Sequence, residues 1–510
     1  MKQDKLGKKF VVPVIMLALF FLALNILWSY LDKTPPHWDM ARHLSNSLDY
    51  HRYLIDLNWR KLIFNYSYYP PFYYWLTALW YLVVGRSIDA AISTNLFFVV
   101  ALAISVYFSA KKLQDERSAC LAALLALTFP MLSSQFKEFQ LDAPLTVMVS
   151  LGLTFLLYSD NFRNRKSIVF LGIVSGLAML TKWTYAAYVL VPLIYLLAES
   201  LLKFPRERIS ILKNALIAAI ATSIIAGPWY THNLSDIKRD VDGSGINAAL
   251  AEGDPVGLTL KAFMFYFWTF IEHHFWLIGT IIFLVGLVVL LSNRESRRKY
   301  AIYLISVIVG YIIFSTFPNK DARFIMPIVP SVAIIIIGFM SLLPKTPRAF
   351  LAVYLIIFAF FTFFETTFSL PFTKSISWQT EGKHWINVYL ERSYTVTAPS
   401  QLDWHYDVIV SRARSDAGED RTIQFLGQDR SEFNRWALAY YSRLYGMEWV
   451  GENTSSVNFR YLVFREAGES YAQKEEELFR EGFSPDVMGQ WILPDGTSAY
   501  LIKIEGEQDV

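Results

Sequence analysis

The sequence has almost no cysteine: Cys120 is the single one among 510 residues. One thiol excludes an intrachain disulfide framework. The chain also lacks a GxGxxG fingerprint, a Walker loop, an HExxH pair and a CxxC pair, which argues against soluble nucleotide chemistry. Its formal net charge is only +3, so the charge balance indicates no nucleic-acid partner.

Hydrophobic residues, by contrast, are abundant. They make up 54% of the chain, aromatic residues make up 16%, and the mean hydropathy is +0.32. A soluble protein of this length would be less apolar, so the composition predicts a polytopic membrane protein. The first apolar run, 11–31, is long enough to span a bilayer, and no small-x-small cleavage site follows it. We therefore predict a retained transmembrane helix there rather than a signal peptide.

Apolar runs long enough to cross a bilayer recur until about residue 370 and then stop. We predict about eleven transmembrane helices, at 11–31, 88–109, 118–134, 143–158, 167–181, 185–200, 211–228, 275–292, 300–317, 325–343 and 349–369.

The distribution of Lys and Arg predicts the orientation of these helices. Short loops rich in positive charge, such as "AKKLQDERS", "NFRNRKS" and "NRESRRKY", alternate with longer aromatic loops of mixed charge. The positive set is typical of the cytoplasmic side. The N-terminus is then cytoplasmic and 32–87 is the first external loop. The alternation requires that 70–85, rich in Tyr and Trp, lies in the interface as a helix instead of crossing, and 260–274 has the same character.

The composition changes after residue 370. Strand-like runs ("YDVIVSRA", "TIQFLG", "FRYLVFR", "SAYLIKI") mix with helical ones ("RSEFNRWALAYYSRLYG", "YAQKEEELFREGF"). This pattern predicts a small α/β domain. We therefore divide the chain into a transmembrane domain, 1–370, and an α/β domain, 371–510, which an odd number of spans places outside the cytoplasm.

The first candidate site lies in "DKTPPHWDMARHLSNSLDYHRYL", between two apolar stretches. Residues three and four apart share one face of a helix. A helix starting near Asp39 would present one polar strip and turn Met40, Leu44 and Leu48 to the membrane. The members of that strip are Asp39, Arg42, His43, Asn46 and Asp49. The alternative is that Asp39 only caps the helix N-terminus.

Three further segments place charged residues at the predicted outer boundary, where an ionisable group is costly. Asp142 opens a membrane helix, with capping as the alternative. Lys182 lies between two short apolar runs, with snorkelling to the interface as the alternative. Lys320 and Arg323 flank Asp321, with a structural ion pair as the alternative. A guanidinium there would also suit bidentate phosphate recognition.

His273 and His274 follow Glu272, which raises the question of a metal site. Adjacent helical residues point in different directions, so we favour an interfacial role without metal ligation. Acids and cations on one side of a helical bundle would fit a substrate with an acyl chain and a phosphate. An acid would act as general base, and the cations would stabilise the departing phosphate.

Five segments resemble, in chain order, motifs of the polyprenyl-phosphate-sugar glycosyltransferases. This superfamily has the GT-C fold and includes protein O-mannosyltransferases and the lipid A aminoarabinose transferase. The matching segments are "TPPHWDMARHL", "YYPPFYYWL", "FKEFQLDAPLTVMVSLGLTFLL", "GLAMLTKWTYAAYVLVPLIYLL" and "KDARFIMPIVPSVAIII", within about residues 1–345.

The resemblance implies an inverting transfer of a sugar from a polyprenyl phosphate to an acceptor on the outer face. It makes Asp39 the catalytic acid, as general base or acceptor-orienting group, and Asp142 the second acid. It also implies that two cations, Lys182 and Arg323, lie near the lipid phosphate. The other predicted substrate-binding residues are Arg42, His43, Tyr69, Glu138 and Lys320.

Two departures from the family pattern matter. Met40 stands where a Glu usually follows the first acid, and Tyr69 stands where a His usually precedes the double proline. No cofactor is firmly implied, and the incomplete acidic pair leaves a divalent metal open. The sugar (hexose or pentose) and the acceptor (lipid, glycan or protein) also stay open. A transporter or flippase of lipid-linked sugars is the main alternative function, and an inactive scaffold is another.

Overall fold

A computed structural model describes the structure of residues 3–243, 246, 249–250, 253–370, 376–379, 385–389, 398–427, 429, 432–451, 459–466, 470–480 and 482–505. The chain forms two compact units, each assembled from separated segments. The first unit comprises Met1–Trp28, Asn58–Leu76 and Ile92–Ala398. The second comprises Ser29–Leu57, Thr77–Ala91 and Pro399–Val510.

Helices dominate the chain up to residue 370. In the N-terminal half they are α1 (Gln3–Leu31), α2 (Trp38–Ile55), α3 (Trp59–Phe64), α4 (Phe72–Val84), α5 (Ile88–Ser93), α6 (Asn95–Leu113), α7 (Glu116–Thr128), α8 (Pro130–Gln135), α9 (Asp142–Tyr158), α10 (Arg165–Met179), α11 (Tyr185–Lys203), α12 (Arg208–His232) and α13 (Leu234–Gly243). They continue with α14 (Leu260–Thr269), α15 (Trp276–Ser292), α16 (Arg294–Lys299), α17 (Ala301–Thr316), α18 (Val329–Leu342) and α19 (Lys345–Phe368).

Within the described part of the chain, six helical stretches are long and apolar enough to cross a membrane. They are Val11–Leu31, Ile88–Leu113, Tyr185–Lys203, Pro205–His232, Ala322–Leu342 and Lys345–Phe368. Shorter apolar helices are Phe72–Val84, Asp142–Tyr158, Trp276–Ser292 and Ala301–Thr316. The prediction of a polytopic α-helical membrane protein is confirmed, while the number of crossings stays a prediction.

The predicted span 118–134 is wrong as one continuous helix. Helix α7 ends at Thr128, and α8 begins at Pro130. Phe129 between them has extended backbone angles, with φ −57° and ψ 131°. A residue before proline is driven out of the helical region by the proline ring, so the chain breaks there although the surrounding run is mostly apolar.

Helices α10 and α12 pack closely in the first unit. A Cβ on Gly172 of α10 would lie 2.7 Å from the backbone oxygen of Ala218 and 2.9 Å from its Cα. A Cβ on Gly176 would lie 2.7 Å from the Cβ of Ile225. Small residues at such positions allow two membrane helices to approach each other closely.

We expect Gly172→Ala to lower the stability of the purified protein by about 1–3 kcal/mol, because the backbone of α12 must move to admit the methyl group. The thermal unfolding midpoint in detergent measures the change. Gly227→Ala on α12 is the matched control, since nothing lies within 4 Å of its Cβ position. Equal midpoints for the two variants would contradict the close packing of α10 and α12.

The second unit contains a five-stranded mixed sheet. Its strands are β3 (Thr422–Leu426), β4 (Glu448–Trp449), β5 (Tyr461–Glu466), β6 (Ser484–Ile492) and β7 (Ser498–Glu505), in the order β4-β3-β5-β7-β6. Strand β3 runs parallel to β4 and β5, whereas β7 is antiparallel to β5 and β6. A further antiparallel pair, β1 (Ile376–Gln379) and β2 (Trp385–Tyr389), belongs to the first unit.

Three helices accompany this sheet: α20 (Tyr406–Asp416), α21 (Arg435–Tyr445) and α22 (Tyr471–Arg480). The prediction of a C-terminal sheet is confirmed, but the predicted strand "YDVIVSRA" is wrong because it forms α20. Its buried residues are Tyr406, Ile409, Val410 and Ala413. They recur every three or four residues, as one face of a helix requires. The boundary at residue 371 stays a prediction.

Candidate functional site

A buried ion pair lies in the first unit. The ammonium of Lys182 donates a hydrogen bond to Asp142 Oδ1 at 2.8 Å, and the two residues are only 5% and 4% exposed. Lys182 reaches this position because α10 ends at Met179 and the chain turns before α11 begins at Tyr185. The snorkelling alternative for Lys182 is therefore wrong: burial of a charge requires a partner, and Asp142 supplies it.

Capping does not explain Asp142 either. Helix α9 begins at Asp142 itself, and Leu141 occupies the cap position without a side-chain hydrogen bond. An acid in the first turn is favoured by the helix dipole. Its carboxylate is instead engaged with an ammonium that lies 40 residues further along the chain.

Aromatic rings surround the ammonium of Lys182. Its Nζ lies 5.5 Å from the centre of the Tyr69 ring and 5.1 Å from that of Phe324. Tyr69 also packs edge-on against Tyr68 at 4.7 Å and lies 6.5 Å from the Trp183 ring. The ring faces attract the cation electrostatically and shield it from water. The structure thus brings together three of the predicted site residues, Tyr69, Asp142 and Lys182.

Arg323 lies in the 3₁₀ segment Ala322–Ile328, directly before Phe324. Its Nε and Nη2 donate to Asp321 Oδ2 at 2.9 and 2.6 Å. The Asp321 carboxylate also caps the segment by accepting the Arg323 backbone N–H at 2.7 Å. Burial alone would raise the pKa of Asp321, but the adjacent guanidinium holds that pKa below its usual range. The predicted ion-pair alternative is thus present, and one fifth of the Arg323 side chain is exposed.

Lys320 has a different environment. Its ammonium donates to the carbonyl oxygens of Phe314, Ser315 and Phe317 at 2.9, 2.7 and 2.5 Å. Phe314 and Ser315 lie in the last turn of α17, where helix carbonyl oxygens need partners from outside the helix. Burial lowers the pKa of Lys320 to about 8, while Asp254 acts in the opposite direction. The ammonium serves as a helix cap here, and its predicted contact with substrate stays a prediction.

The two adjacent histidines lie in a π-helical turn, Phe270–His274. His274 Nε2 lies 2.9 Å from the Ala322 carbonyl oxygen, so this turn contacts the segment that carries Arg323. Burial lowers the pKa of His273 to about 4 and that of His274 to about 3. Both rings are therefore neutral at pH 7. Among the residues that the structure describes, no group of three His, Cys, Asp or Glu could hold a metal ion.

Asp39, Arg42 and His43 belong to the second unit. Helix α2 begins at Trp38, with His37 in the cap position. The capping alternative for Asp39 is therefore wrong, because its carboxylate lies one residue inside the helix. Asp39 and Arg42 are exposed, but His43 is only 4% exposed and does not share their surface.

The apolar face of α2 also differs from the prediction. Met40, Leu44 and Leu48 are at most 7% exposed, and α2 packs against α21. These side chains are buried against protein, not left for the membrane. A hydrophobic stripe in a sequence indicates that one face of a helix is buried, but it does not indicate whether protein or lipid buries that face.

Part of the chain is similar in sequence to known glycosyltransferases. The model for dolichyl-phosphate-mannose-protein mannosyltransferases matches residues 69–227. An undecaprenyl phosphate-α-4-amino-4-deoxy-L-arabinose arabinosyl transferase from Pseudomonas aeruginosa is 30% identical over 166 residues, which are 31% of this chain. Its counterpart in Pseudomonas savastanoi pv. phaseolicola is 28% identical over 173 residues. The match spans 29% and 30% of the length of these two relatives.

The similarity to solved structures extends over nearly the whole chain. ArnT from Cupriavidus metallidurans in the apo state superposes with a TM-score of 0.63 at 15% identity, covering 97% of this chain and 98% of ArnT. The same protein bound to undecaprenyl phosphate gives a TM-score of 0.61 at 12% identity, covering 96% and 97%. The chain therefore shares the GT-C fold of ArnT. The resemblance predicted from five short motifs is thereby confirmed.

Within this GT-C protein, the family model covers only some of the candidate residues. Tyr69, Glu138, Asp142 and Lys182 lie inside the matched range 69–227, whereas Asp39, Arg42, His43, Lys320 and Arg323 lie outside it. The similarity to ArnT includes the C-terminal α/β domain, for which no sequence motif was found.

Glu138 lies in a polar network in the loop before α9, the helix that begins with Asp142. Its Oε2 accepts a hydrogen bond from the Gln135 amide at 3.1 Å, and its backbone oxygen accepts one from the Asn95 amide at 3.0 Å. Asn95 is in turn bonded by the Tyr73 hydroxyl at 2.8 Å. Glu138 is thus held by hydrogen bonds near the start of the loop that leads to Asp142.

The sequence reasoning missed Lys137. It is 2% exposed, its ammonium donates to the Thr366 carbonyl oxygen at 2.5 Å, and it lies 5.0 Å from the Trp28 ring. Lys137 immediately precedes Glu138 in the sequence, and that position alone does not indicate burial. A lysine next to an acid on a loop is usually solvated, so only the fold reveals that this one is buried.

Proposed function

We propose that this protein is an integral membrane glycosyltransferase. It transfers a sugar from a polyprenyl-phosphate donor to an acceptor on the outer face of the membrane, with inversion at the anomeric carbon. The GT-C fold, the family-model match and the names of the relatives support this activity. The observation that carries the proposal is that Lys182 Nζ lies 5.1 Å from the ring of Phe324, the residue after Arg323, so the ammonium lies against the segment that carries Arg323.

The cations suit a lipid phosphate. The carboxylate of Asp321 binds the guanidinium of Arg323, and one fifth of the Arg323 side chain is exposed. A guanidinium can donate two parallel hydrogen bonds to one phosphate group. Lys182 adds a fixed positive charge in a largely dry environment, where charge stabilisation is strong. Both would stabilise the negative charge that accumulates on the phosphate as the sugar–oxygen bond breaks.

Asp39 is our candidate general base. Its carboxylate accepts the proton from the acceptor's hydroxyl or amine as that group attacks the anomeric carbon. The bond between the sugar and the phosphate oxygen breaks at the same centre, and the polyprenyl phosphate leaves with the bonding electrons. Attack from the face opposite the leaving group inverts the configuration.

We place the N-terminus in the cytoplasm and the C-terminal domain, 371–510, outside it, because the positively charged short loops favour the cytoplasmic side. The acceptor, whether lipid, glycan or protein, would then be an envelope molecule. Transfer on the outer face matches a donor that is itself anchored in the bilayer.

A reconstituted assay tests the activity. The purified protein in liposomes is given radiolabelled polyprenyl-phosphate sugars, and both release of polyprenyl phosphate and labelling of envelope acceptors are followed. We expect release only when an acceptor is present. Movement of the intact lipid-linked sugar across the bilayer without cleavage would contradict the proposal and support a flippase.

We expect Arg323→Lys to raise the KM for the polyprenyl-phosphate donor about tenfold, because lysine keeps the charge but loses the two-pronged donor geometry. Donor titration at saturating acceptor measures the change. Arg298→Lys is the control, because Arg298 pairs with Glu199 at 2.8 Å and is 64% exposed. A donor KM that is unchanged in Arg323→Lys would remove Arg323 from the phosphate site.

A further inference from the structure

The helix that carries Asp39 is packed against the C-terminal part of the chain within the second unit. Helix α2 contacts α21, and its buried face includes Met40, Leu44 and Leu48 at 7%, 0% and 7% exposure. Asp39 lies on the opposite, exposed side. The position of its carboxylate therefore depends on residues some four hundred positions later in the sequence.

The C-terminal half of α2 is held by polar contacts as well. Asp49 Oδ2 lies 3.4 Å from Arg443 Nε of α21, and about one third of each side chain is exposed. Ser47 and Tyr81 share a hydroxyl–hydroxyl hydrogen bond of 3.1 Å. His51 Nδ1 lies 3.2 Å from the Ala78 carbonyl oxygen. These contacts join α2 to α21 and to the C-terminal half of α4.

The N-terminal approach to α2 is held by a different C-terminal segment. The Lys33 backbone N–H donates to the Ser400 oxygen at 2.6 Å. The Ser400 N–H donates to Asp32 Oδ1 at 2.8 Å, and the Gln401 side-chain amide donates to the Leu31 carbonyl oxygen. Two segments of the C-terminal region thus contact this part of the chain: one binds the residues just before α2, and the other binds the C-terminal half of α2.

These contacts matter because most of the stability of a protein helix comes from tertiary packing of its apolar face. The 18-residue helix α2 receives that packing from α21. A catalytic group must be held within roughly 0.5 Å of its productive position. A displacement of about 1 Å can reduce the rate on the order of a hundredfold.

We infer that the C-terminal domain is a positioning element for the Asp39 helix, with Arg443 and Tyr440 of α21 as positioning residues. This inference rests on the proposed function, in which Asp39 is the base. Tyr440 is fully buried on α21, the helix that packs against α2. The domain therefore acts on kcat through the geometry of the base.

The test compares variants of the full-length protein in liposomes. We expect Arg443→Gln to lower kcat about fivefold, the upper range for a partly exposed ion pair, and Tyr440→Ala to lower it at least tenfold through loss of packing. The donor KM should not change. Hydrogen exchange of α2 amides should accelerate in both variants. Trp436 lies on the same helix and is 40% exposed. Trp436→Ala should therefore change neither kcat nor the rate of hydrogen exchange in α2.

A charge exchange separates positioning from general damage. Combining Asp49→Arg with Arg443→Asp should restore kcat and slow exchange in α2, since the pair re-forms with reversed polarity. If Asp39→Asn is inactive while Arg443→Gln and Tyr440→Ala keep the wild-type kcat, the positioning role is overturned but the proposed function stands. If Asp39→Asn keeps full transfer activity, Asp39 is not the base and the positioning role fails with it, while the glycosyltransferase activity itself stands.

Discussion

Asp39→Asn should reduce sugar transfer on the order of a hundredfold to ten-thousandfold, the range expected when a general base is lost. Asparagine has nearly the same shape as aspartate, so packing of α2 is retained while the proton acceptor is removed. Donor binding should persist, because the proposed phosphate contacts come from Lys182 and Arg323. The loss should therefore appear in kcat and leave the donor KM almost unchanged.

Asp56→Asn is the matched control for this substitution. Asp56 follows the last residue of α2 and forms a 3.6 Å exposed contact with Arg52, so its replacement should leave transfer at the wild-type rate. Single-turnover kinetics with radiolabelled donor would measure both variants. Full activity of Asp39→Asn, with a normal unfolding midpoint, would exclude Asp39 as the base.

Lys182→Met should be the most destabilising of the substitutions proposed for the first unit. Removing the ammonium leaves the buried carboxylate of Asp142 without its charge partner, and breaking a buried pair in this way costs about 3–5 kcal/mol. The double variant Lys182→Met with Asp142→Leu should recover most of that loss, because an apolar pair has no charge to desolvate. Thermal unfolding in detergent compares the single and double variants.

Arg163→Met provides the surface comparison. Arg163 pairs with Asp160 at 2.9 Å, but the two side chains are 36% and 57% exposed, so its loss should cost at most about 1 kcal/mol. Both Lys182 variants should also lose transfer, since neither keeps the cation. A single Lys182→Met variant as stable as Arg163→Met would show that the buried pair does not hold α9 to the turn after α10.

Hydropathy was a good guide to the helices because a membrane-spanning helix satisfies its own backbone hydrogen bonds and needs only a local run of apolar residues. Two predicted elements, one helix and one strand, were wrong because a local pattern was not sufficient to identify them. Pro130 divided an apolar run into α7 and α8. The β-branched run in "YDVIVSRA" read as a strand, yet it forms α20 because its buried face repeats at helical spacing.

The candidate site was only partly predictable for a related reason. Charged residues flanked by apolar sequence stood out as Asp142, Lys182 and Arg323, since their burial is costly. The residues with which they pair could not be identified from the sequence. Asp142 and Lys182 are 40 residues apart, and each had a satisfactory local explanation. Lys137, with no such conspicuous position, was missed although it is one of the most deeply buried cations in the described chain.

The sequence by itself determined the membrane character, the helical elements and the GT-C resemblance, because hydropathy and short motifs are properties of neighbouring residues. Only the tertiary structure decided that Lys182 pairs with Asp142, that Lys320 caps α17, and that α2 packs on α21 rather than on lipid. A buried charge needs a partner, and an apolar face must be covered. Which residues provide the partner or the cover depends on segments that folding brings together from distant parts of the chain.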